Sequence, residues 1–113
     1  MLAGIPDKIL TKWLKNKKYY AVADEGEAIA IGVGFHLSTG KRATVFLSAD
    51  GLANALNPIT NLVIPEKIPI NIVVSYGRQE KPHKVMSDLL LPLIELLPYD
   101  SKLIHWKFIQ KKS

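Results

Sequence analysis

Residues 23–62, ADEGEAIAIGVGFHLSTGKRATVFLSADGLANALNPITNL, contain two strand-to-helix switches about one βα unit apart. Asp24 and Glu25 lie at the first switch, after an apolar run at residues 19–23 that predicts a buried strand. Small and apolar residues at 26–37 predict that a helix begins within a residue or two of Glu25. Because open α/β sheets bind ligands beyond the carboxyl ends of their strands, we expect Glu25 near a ligand.

The remaining sequence continues the alternation of helices and strands. We expect further helices at residues 6–14, 51–63 and 85–97, and further strands at 43–48, 70–75 and 103–108. Pro6 is expected to start the first helix, Pro58 to bend or break its helix, and Gly40 to end the helix that follows Glu25. This order predicts the α/β class, a three-layer open parallel sheet with helices on both faces.

Length and composition limit the classes of protein to consider. A chain of 113 residues with 48% hydrophobic residues is expected to form a single folded domain over residues 1–113. No apolar run approaches the ~20 residues that span a bilayer, and the N-terminus lacks the pattern of a signal peptide. The absence of cysteine excludes disulfides and cysteine chemistry. We therefore expect a cytoplasmic protein that does not enter a membrane.

The net charge of +5 arises mainly from lysine, with clusters at residues 15–18 and 111–112. These lysines are spread over expected helix ends and the tail, without a recognition motif, so we do not expect nucleic acid as a partner. A basic surface could instead steer an anionic substrate or an acidic subunit. The three histidines, His36, His83 and His105, lack the spacing of metal ligands, so no metal site is expected.

The acids of the first switch have two interpretations. Asp24, Glu25 and Glu27 can complement the positive end of a helix dipole, as acids in a first turn commonly do. Alternatively, Glu25 is held at the ligand side of the sheet for chemistry. The pattern of these residues alone favours the dipole.

A resemblance to a known family changes that balance. The motifs that carry it span most of the chain in the family's order: Gly4-Ile5-Pro6-Asp7, Asp24-Glu25-Gly26-Glu27-Ala28, Gly51-Leu52-Ala53-Asn54-Ala55-Leu56-Asn57-Pro58-Ile59-Thr60, and more loosely Glu80 to His83. In these motifs the chain resembles the pyrimidine-binding domain of phosphonopyruvate and sulfopyruvate decarboxylases, which use thiamine diphosphate. The middle blocks are the most specific.

The resemblance implies particular roles for particular residues. Glu25 is the catalytic residue that hydrogen-bonds the cofactor pyrimidine and helps it remove the thiazolium C2 proton. A carboxyl group suits this task when it is partly buried, because desolvation favours its protonated form. Cofactor contacts are implied for Glu25, Gly51, Leu52 and Asn54, and weaker substrate contacts for Ser48, Asp50 and His83.

The resemblance also implies an incomplete enzyme. The Gly-Asp-Gly motif with which relatives hold the diphosphate and Mg²⁺ is absent, and only Met1-Leu2-Ala3 precede Gly4 where relatives have a helix and most of a strand. We therefore expect a shortened N-terminus whose missing strand exposes backbone groups on its neighbours. We also expect a separate diphosphate-binding subunit in a homo- or hetero-oligomer, or else a fragment of a longer protein.

Two function classes follow. The first is the pyrimidine-binding subunit of a thiamine diphosphate-dependent decarboxylase of a small 2-oxo acid. The second is a non-catalytic α/β binding or assembly module that kept the fold. Glu25 favours the first, whereas Ser48-Ala49-Asp50, in place of the Gln-Asn-Ser common in relatives, favours the second. Asp50 is expected either to cap the following helix or to face the substrate, and His83 either to approach the substrate or to be an ordinary exposed loop residue.

Overall fold

The computed structural model describes residues 1–112. The strands of this part are Leu2–Gly4 (β1), Tyr20–Ala21 (β2), Ala43–Ser48 (β3), Ile70–Tyr76 (β4) and Ile104–Gln110 (β5). The helices are Thr11–Leu14 (α1), Glu25–Thr39 (α2), Leu52–Pro58 (α3) and Lys84–Leu96 (α4). A 3₁₀ turn, Ala49–Gly51, precedes α3, and a π-helical segment, Ile59–Val63, follows it. The predicted order of helices and strands is confirmed, with β1 added at its start.

All strands of the sheet are parallel, in the order β2-β1-β3-β4-β5. The chain runs from β1 outward to β2, crosses to β3, and then continues outward to β4 and β5. The strand order therefore reverses between β1 and β3. At such a reversal, loops leave in opposite directions and open a crevice at the carboxyl ends of the strands.

Helices cover both faces of the sheet, as predicted, but unevenly. Successive strand residues point to opposite faces. On one face, Val45, Ile72 and their neighbours pack with buried residues of α2, α3 and α4. On the other face, Phe46 and Val73 pack with Leu10 and Leu14 around α1, and with partly buried residues that include Leu2 and Ile109. The predicted α/β class is therefore confirmed, with three of the four helices on one side.

The expectation that a missing N-terminal strand exposes backbone groups is wrong for this sheet. β1 is only three residues long, but it lies inside the sheet, where Ala3 is opposite both Tyr20 of β2 and Val45 of β3. β1 pairs with Thr44–Phe46, half of the six-residue β3, and with both residues of β2. A Cβ added to Gly4 would lie 2.0 Å from the carbonyl oxygen of Phe46, so glycine permits this close approach.

The strand predicted at residues 19–23 is shorter and more exposed than expected. Only Tyr20–Ala21 pair with a neighbour, and they form an edge of the sheet. The Tyr20 side chain is 67% exposed, so the prediction of a buried strand is wrong. β-favouring residues predict an extended backbone, but they do not specify whether the strand is central or at an edge.

Local hydrogen bonds and the conformations of single residues determine where the helices begin and end. α1 begins later than predicted, because residues 8–10 form turns in which Asp7 Oδ1 accepts the Leu10 N–H at 2.8 Å. Gly40 ends α2 as predicted, with a φ of 74° that glycine adopts without strain. Pro58 is the last residue of α3, but the backbone stays helical through the π-helical segment to Val63, so the hydrogen-bond pattern changes at Pro58 and the predicted helix continues past it. Within residues 1–112, no helix is long and apolar enough to cross a membrane.

Candidate functional site

The candidate site lies where the strand order reverses. The turn after β1 contains Asp7, the turn after β3 contains Asp50 and Gly51, and α2 begins at Glu25. All three segments belong to the carboxyl edge of the sheet, because the strands are parallel. The prediction that Glu25 follows a strand at this edge is therefore confirmed.

Asp24 caps α2, at the helix end whose dipole the acids of this turn were expected to complement. Its Oδ1 accepts hydrogen bonds from the backbone N–H of Gly26 at 2.7 Å and of Glu27 at 3.4 Å. These bonds satisfy two of the donors that the first turn of α2 leaves free. The dipole interpretation therefore describes Asp24 directly, and it leaves the Glu25 side chain available for another contact.

Glu25 reaches across to the start of α3. Its Oε1 accepts a hydrogen bond from Asn54 Nδ2 at 3.0 Å, and its side chain is half-buried. A Cβ added to Gly51 would lie 2.4 Å from both Cδ and Oε2 of Glu25, a distance that real contacts do not allow. A Cβ at Gly26 would lie 3.1 Å from the Asn54 carbonyl oxygen. Glycines at these positions therefore let the two helix starts approach closely.

Three of the residues implied as cofactor contacts, Glu25, Gly51 and Asn54, thus form one cluster, which we call the glutamate cluster. The fourth, Leu52, is fully buried and packs in the larger core. Its side chain lies away from the surface that Glu25 and Asn54 form, so any contribution of Leu52 to binding comes through its backbone or its packing. The cofactor-binding roles of all four residues stay predictions.

A second cluster adjoins the first, because Asp50 and Gly51 are consecutive. His83 Nδ1 hydrogen-bonds Asp50 Oδ2, and His83 Nε2 lies 3.3 Å from Arg78 Nη1. Since a guanidinium group only donates, Nε2 accepts, and Nδ1 carries the proton donated to Asp50. We call Asp50, Arg78 and His83 the histidine cluster.

The expectation that Asp50 caps the following helix is wrong. Neither the 3₁₀ turn nor α3 has a capping hydrogen bond from a side chain, and the Asp50 carboxylate instead contacts His83. His83 is accordingly no unpaired loop residue. It lies immediately before α4, where its side chain is only partly exposed. Thirty-three positions separate the two residues, so local sequence patterns could not predict the contact.

Asp7 and Ser75 complete a narrow cleft at this edge. Ser75 Oγ donates to Asp7 Oδ2 at 2.6 Å, and the Ser75 side chain is buried at the end of β4. The cleft is also lined by Ser48 and by the histidine cluster. The three residues implied as substrate contacts, Ser48, Asp50 and His83, are therefore together. Sequence analysis missed Arg78 and Ser75, although Asp7 belongs to a motif that carried the resemblance.

Charges at the mouth of the cleft are partly paired. Arg78 Nε lies 3.5 Å from Glu80 Oε1, and Lys111 Nζ lies 3.7 Å from Glu80 Oε2. The pKa of Glu80 is lowered mainly by a hydrogen bond from its own backbone. Burial acts in the opposite direction, and the charges of Lys111, Arg78 and His83 lower the pKa further. Arg78 thus pairs with Glu80 outside the cleft, and it lines the cleft together with the carboxylates of Asp7 and Asp50.

The glutamate cluster fits the pyrimidine of thiamine diphosphate. Asn54 holds one carboxylate oxygen of Glu25, and the other, Oε2, accepts no hydrogen bond from residues 1–112. An oxygen of this kind can accept or share a proton with a ring nitrogen. Among the described residues, no group of three or more histidine, aspartate or glutamate side chains could hold a metal ion.

Known proteins with similar sequences are phosphonopyruvate decarboxylases. The Streptomyces viridochromogenes enzyme is 29% identical over 91% of this chain and 28% of its own length. The Streptomyces hygroscopicus enzyme is 30% identical over 75% of this chain and 24% of its own length. The chain thus spans about a quarter of the length of these relatives. No family model matches the sequence.

A solved structure agrees with these relatives. An enzyme from Mycobacterium smegmatis, described as thiamin diphosphate-dependent, superposes with a TM-score of 0.62 and 25% identity. The match covers 72% of this chain and 17% of the Mycobacterium chain. One family assignment agrees with the sequence motifs, the parallel sheet and the glutamate cluster at its carboxyl edge. The chain belongs to the family of thiamine diphosphate-dependent enzymes.

Proposed function

We propose that this chain is the pyrimidine-binding part of a thiamine diphosphate-dependent decarboxylase of a small 2-oxo acid. The observation that carries the proposal is the pairing of Glu25 with Asn54 over Gly51, at the carboxyl edge where the strand order reverses. Phosphonopyruvate, sulfopyruvate or a related acid is the proposed substrate. The names of the two Streptomyces relatives support the first of these.

In this proposal Glu25 holds a proton at the pyrimidine ring. Asn54 orients the carboxylate through Oε1, and the tight contact with Gly51 limits its rotation. Oε2, which accepts no hydrogen bond from residues 1–112, would be the oxygen that holds a proton toward the ring nitrogen. Half-burial strengthens this interaction, because a less solvated site screens charge less than water does. The bound cofactor supplies the electron sink for decarboxylation, and the protein supplies orientation and electrostatics.

The histidine cluster and its surroundings would bind the acid. Arg78 is the cation of the cleft, and it also lines an adjoining groove of about 730 Å³ whose other cations are Lys8, Lys12, Lys107, Lys111 and Lys112. Positive charge along a groove raises the local concentration of an anion and its rate of association. The cleft that His83 and Ser48 line has a volume of only about 10 Å³, which is room for about one water molecule, so the acid would lie in the groove and reach the cleft through Arg78.

The diphosphate and Mg²⁺ would be held by a second, diphosphate-binding unit. The small share of the relatives' length that the chain matches supports this. That unit would be a separate subunit or another part of a longer protein, in a cytoplasmic homo- or hetero-oligomer. We expect it to contact the carboxyl edge around Glu25 and residues 50–54, because the cofactor must bridge both units.

A non-catalytic binding or assembly module is the second candidate. Asp7 and Asp50 both line the cleft, and two carboxylates repel the dianionic end of phosphonopyruvate. If Arg78 and His83 do not offset that repulsion, the chain keeps the fold without the activity.

The test of the proposed function is Glu25→Gln in the assembled enzyme, with the diphosphate-binding unit and the cofactor present. An amide can still hydrogen-bond the ring but cannot share its proton, so exchange of the cofactor C2 proton with deuterium should slow by roughly 10²–10⁴-fold. NMR of the bound cofactor measures this rate directly.

Glu27→Gln is the matched control for this test. Glu27 lies two residues further into α2 and is exposed, so its substitution should leave the exchange rate nearly unchanged. Equal rates in wild type and Glu25→Gln would refute the assignment. Activity below detection in all three proteins, with normal folding, would instead favour the non-catalytic module.

A further inference from the structure

The face of the sheet that carries α1 is only partly covered. α1 and the turn before it pack over β3 and β4, through Leu10 and Leu14. Beside them lies the groove of about 730 Å³ that Arg78 lines, with α1 and its preceding turn on one side and β5 on the other. Protein sites for drug-sized ligands measure roughly 300–1,000 Å³. A small 2-oxo acid therefore leaves most of this groove for another ligand.

The two ends of the groove differ in charge. At the end next to the cleft, Glu80 lies 3.5 Å from Arg78 Nε and 3.7 Å from Lys111 Nζ, which offsets part of their positive charge. At the other end, Lys107 Nζ lies over the Trp13 ring, 6.0 Å from its centroid. Glu80 is the only carboxylate that lines the groove within residues 1–112. The Trp13 end is therefore the more positive one, and the acid bound near Arg78 does not need it.

Exposed lysines line this groove and continue over α1. Lys8 and Lys12 line it and also a neighbouring groove of about 620 Å³ between α1 and Tyr19, which Lys15 lines as well. The lysines of the two grooves that make no ion pair with a carboxylate of residues 1–112 are Lys8, Lys12, Lys15, Lys107 and Lys112. We call these five residues the lysine face. Like charges four residues apart repel each other, so a bound anion relieves this repulsion.

Apolar side chains lie between these charges. Ile9, Trp13 and Ile109 line the groove and are partly exposed. Lys107 and Ile109 are two residues apart on β5, so they point to the same face of the sheet. A ligand that fills the groove therefore meets positive charge and apolar surface together. The ligand that suits both combines carboxylates with a large apolar side chain.

We propose that the lysine face and this groove bind an acidic segment of a partner protein, in which carboxylates flank a large apolar side chain. The carboxylates pair with the lysines, and the apolar side chain contacts Ile9, Trp13 and Ile109. A second copy of this chain does not offer such a segment, because its densest acidic stretch, residues 24–27, belongs to the helix cap and the glutamate cluster. The inference does not depend on the proposed decarboxylase role.

Nucleic acid suits this site less well than an acidic segment does. Proteins that bind single strands stack the bases on aromatic rings. Two ammonium groups already lie over the Trp13 ring, with Lys17 Nζ at 4.7 Å and Lys107 Nζ at 6.0 Å from its centroid. A base stacked on this ring would displace at least one of them and lose its cation–π attraction.

Fluorescence anisotropy of a labelled peptide tests the proposal. The probe is a synthetic peptide of repeated Glu-Glu-Leu units, titrated with the chain at low ionic strength. Lys8→Glu combined with Lys12→Glu should raise Kd roughly tenfold or more, because two attractions become repulsions. The matched control is Lys41→Glu combined with Lys102→Glu. It makes the same change of net charge at exposed lysines near the amino edge of the sheet, and Kd should stay near the wild-type value.

Two further probes identify the class of ligand. A peptide with serine in place of each leucine keeps the charge, and it should bind roughly fivefold more weakly because it buries less apolar surface. An oligothymidylate of equal net charge should bind more weakly than the leucine peptide at the same salt concentration. Circular dichroism of each protein variant checks that it folds.

The opposite results overturn the inference. Absence of peptide binding, or equal weakening by both double variants, excludes the lysine face as a site for an acidic segment. Equal affinity for the leucine and serine peptides shows that the apolar side chains of the groove take no part. If oligothymidylate binds more tightly than the peptide and the change at Lys8 and Lys12 weakens its binding, the face binds nucleic acid instead.

Discussion

The glutamate cluster and the histidine cluster lie side by side on one edge of the sheet, but they are held in different ways. The glutamate cluster depends on close approach: Gly51 and Gly26 have no side chain, so two helix starts can meet around Glu25. The histidine cluster depends on polar contacts of Asp50, in the turn after β3, with His83 and Arg78, which lie in the loop between β4 and α4. In the proposed function, the steric contact keeps Glu25 in the one position where it can hold a proton, whereas the polar side chains of the histidine cluster could be exchanged to change the substrate.

The largest effect is expected for Gly51→Ala, which disrupts the close contact between Gly51 and the Glu25 side chain. The added methyl group overlaps the Glu25 carboxylate at 2.4 Å, so Glu25 must leave its position or the turn must shift. Overpacking of this kind costs typically 1–3 kcal/mol of unfolding free energy. We expect a lower Tm and a loss of C2 proton exchange as large as that of Glu25→Gln.

Gly34→Ala is the control for this prediction, because a Cβ at Gly34 meets no atom within 4 Å. It should keep exchange near the wild-type value and raise Tm rather than lower it, because alanine favours a helix interior over glycine by ~0.5–1 kcal/mol. If Gly51→Ala keeps normal exchange, the position of Glu25 does not depend on steric contact, and the difference drawn between the two clusters fails.

Asp50→Asn should have an intermediate effect on activity, and it tests whether the histidine cluster acts on the substrate. Asparagine can still accept the His83 N–H, but it removes a negative charge from the cleft. For dianionic phosphonopyruvate we expect kcat/KM to rise roughly tenfold, since one charge at short range in a partly solvated site is worth about 1–4 kcal/mol. Kinetics with pyruvate, which lacks the second anionic group, should change much less.

Asp50→Ser distinguishes the effect of the Asp50 charge from the effect of its contact with His83. Serine removes the charge and is too short to keep the same contact with His83. We expect weaker binding of both acids than in Asp50→Asn. An unchanged preference among substrates in both variants would show that the Asp50 charge does not face the substrate.

The smallest effect concerns Glu80 at the mouth of the cleft. Because folding lowers the pKa of Glu80, the folded state is stabilised above the ordinary glutamate value of 4.5, and this stabilisation is lost as pH falls through the lowered value. Wild type should therefore lose slightly more Tm than Glu80→Gln between neutral pH and acid. Glu66→Gln, at another exposed glutamate, is the control, and equal pH profiles for wild type and Glu80→Gln would contradict the shift.

Much of the fold was predictable from residue patterns. The parallel α/β class, the start of α2 after Asp24 and its end at Gly40 all follow from local periodicity, capping and turn chemistry, which act over a few residues. The motifs also singled out Glu25, Gly51 and Asn54, which the structure brings into contact. These three residues come together because each motif lies at a strand-to-helix switch, whose position in a parallel sheet is known in advance.

Only the tertiary structure decided the rest. β2 is an exposed edge and β1 an internal strand because strand order depends on which segments pair over the whole sheet, not on local composition. Asp50 bonds His83 instead of capping a helix because folding brings a donor from 33 positions away to the same edge. Arg78 and Ser75 entered the candidate site for the same reason. Local sequence therefore specifies the elements and their ends, whereas contacts between distant turns select the partners of each side chain.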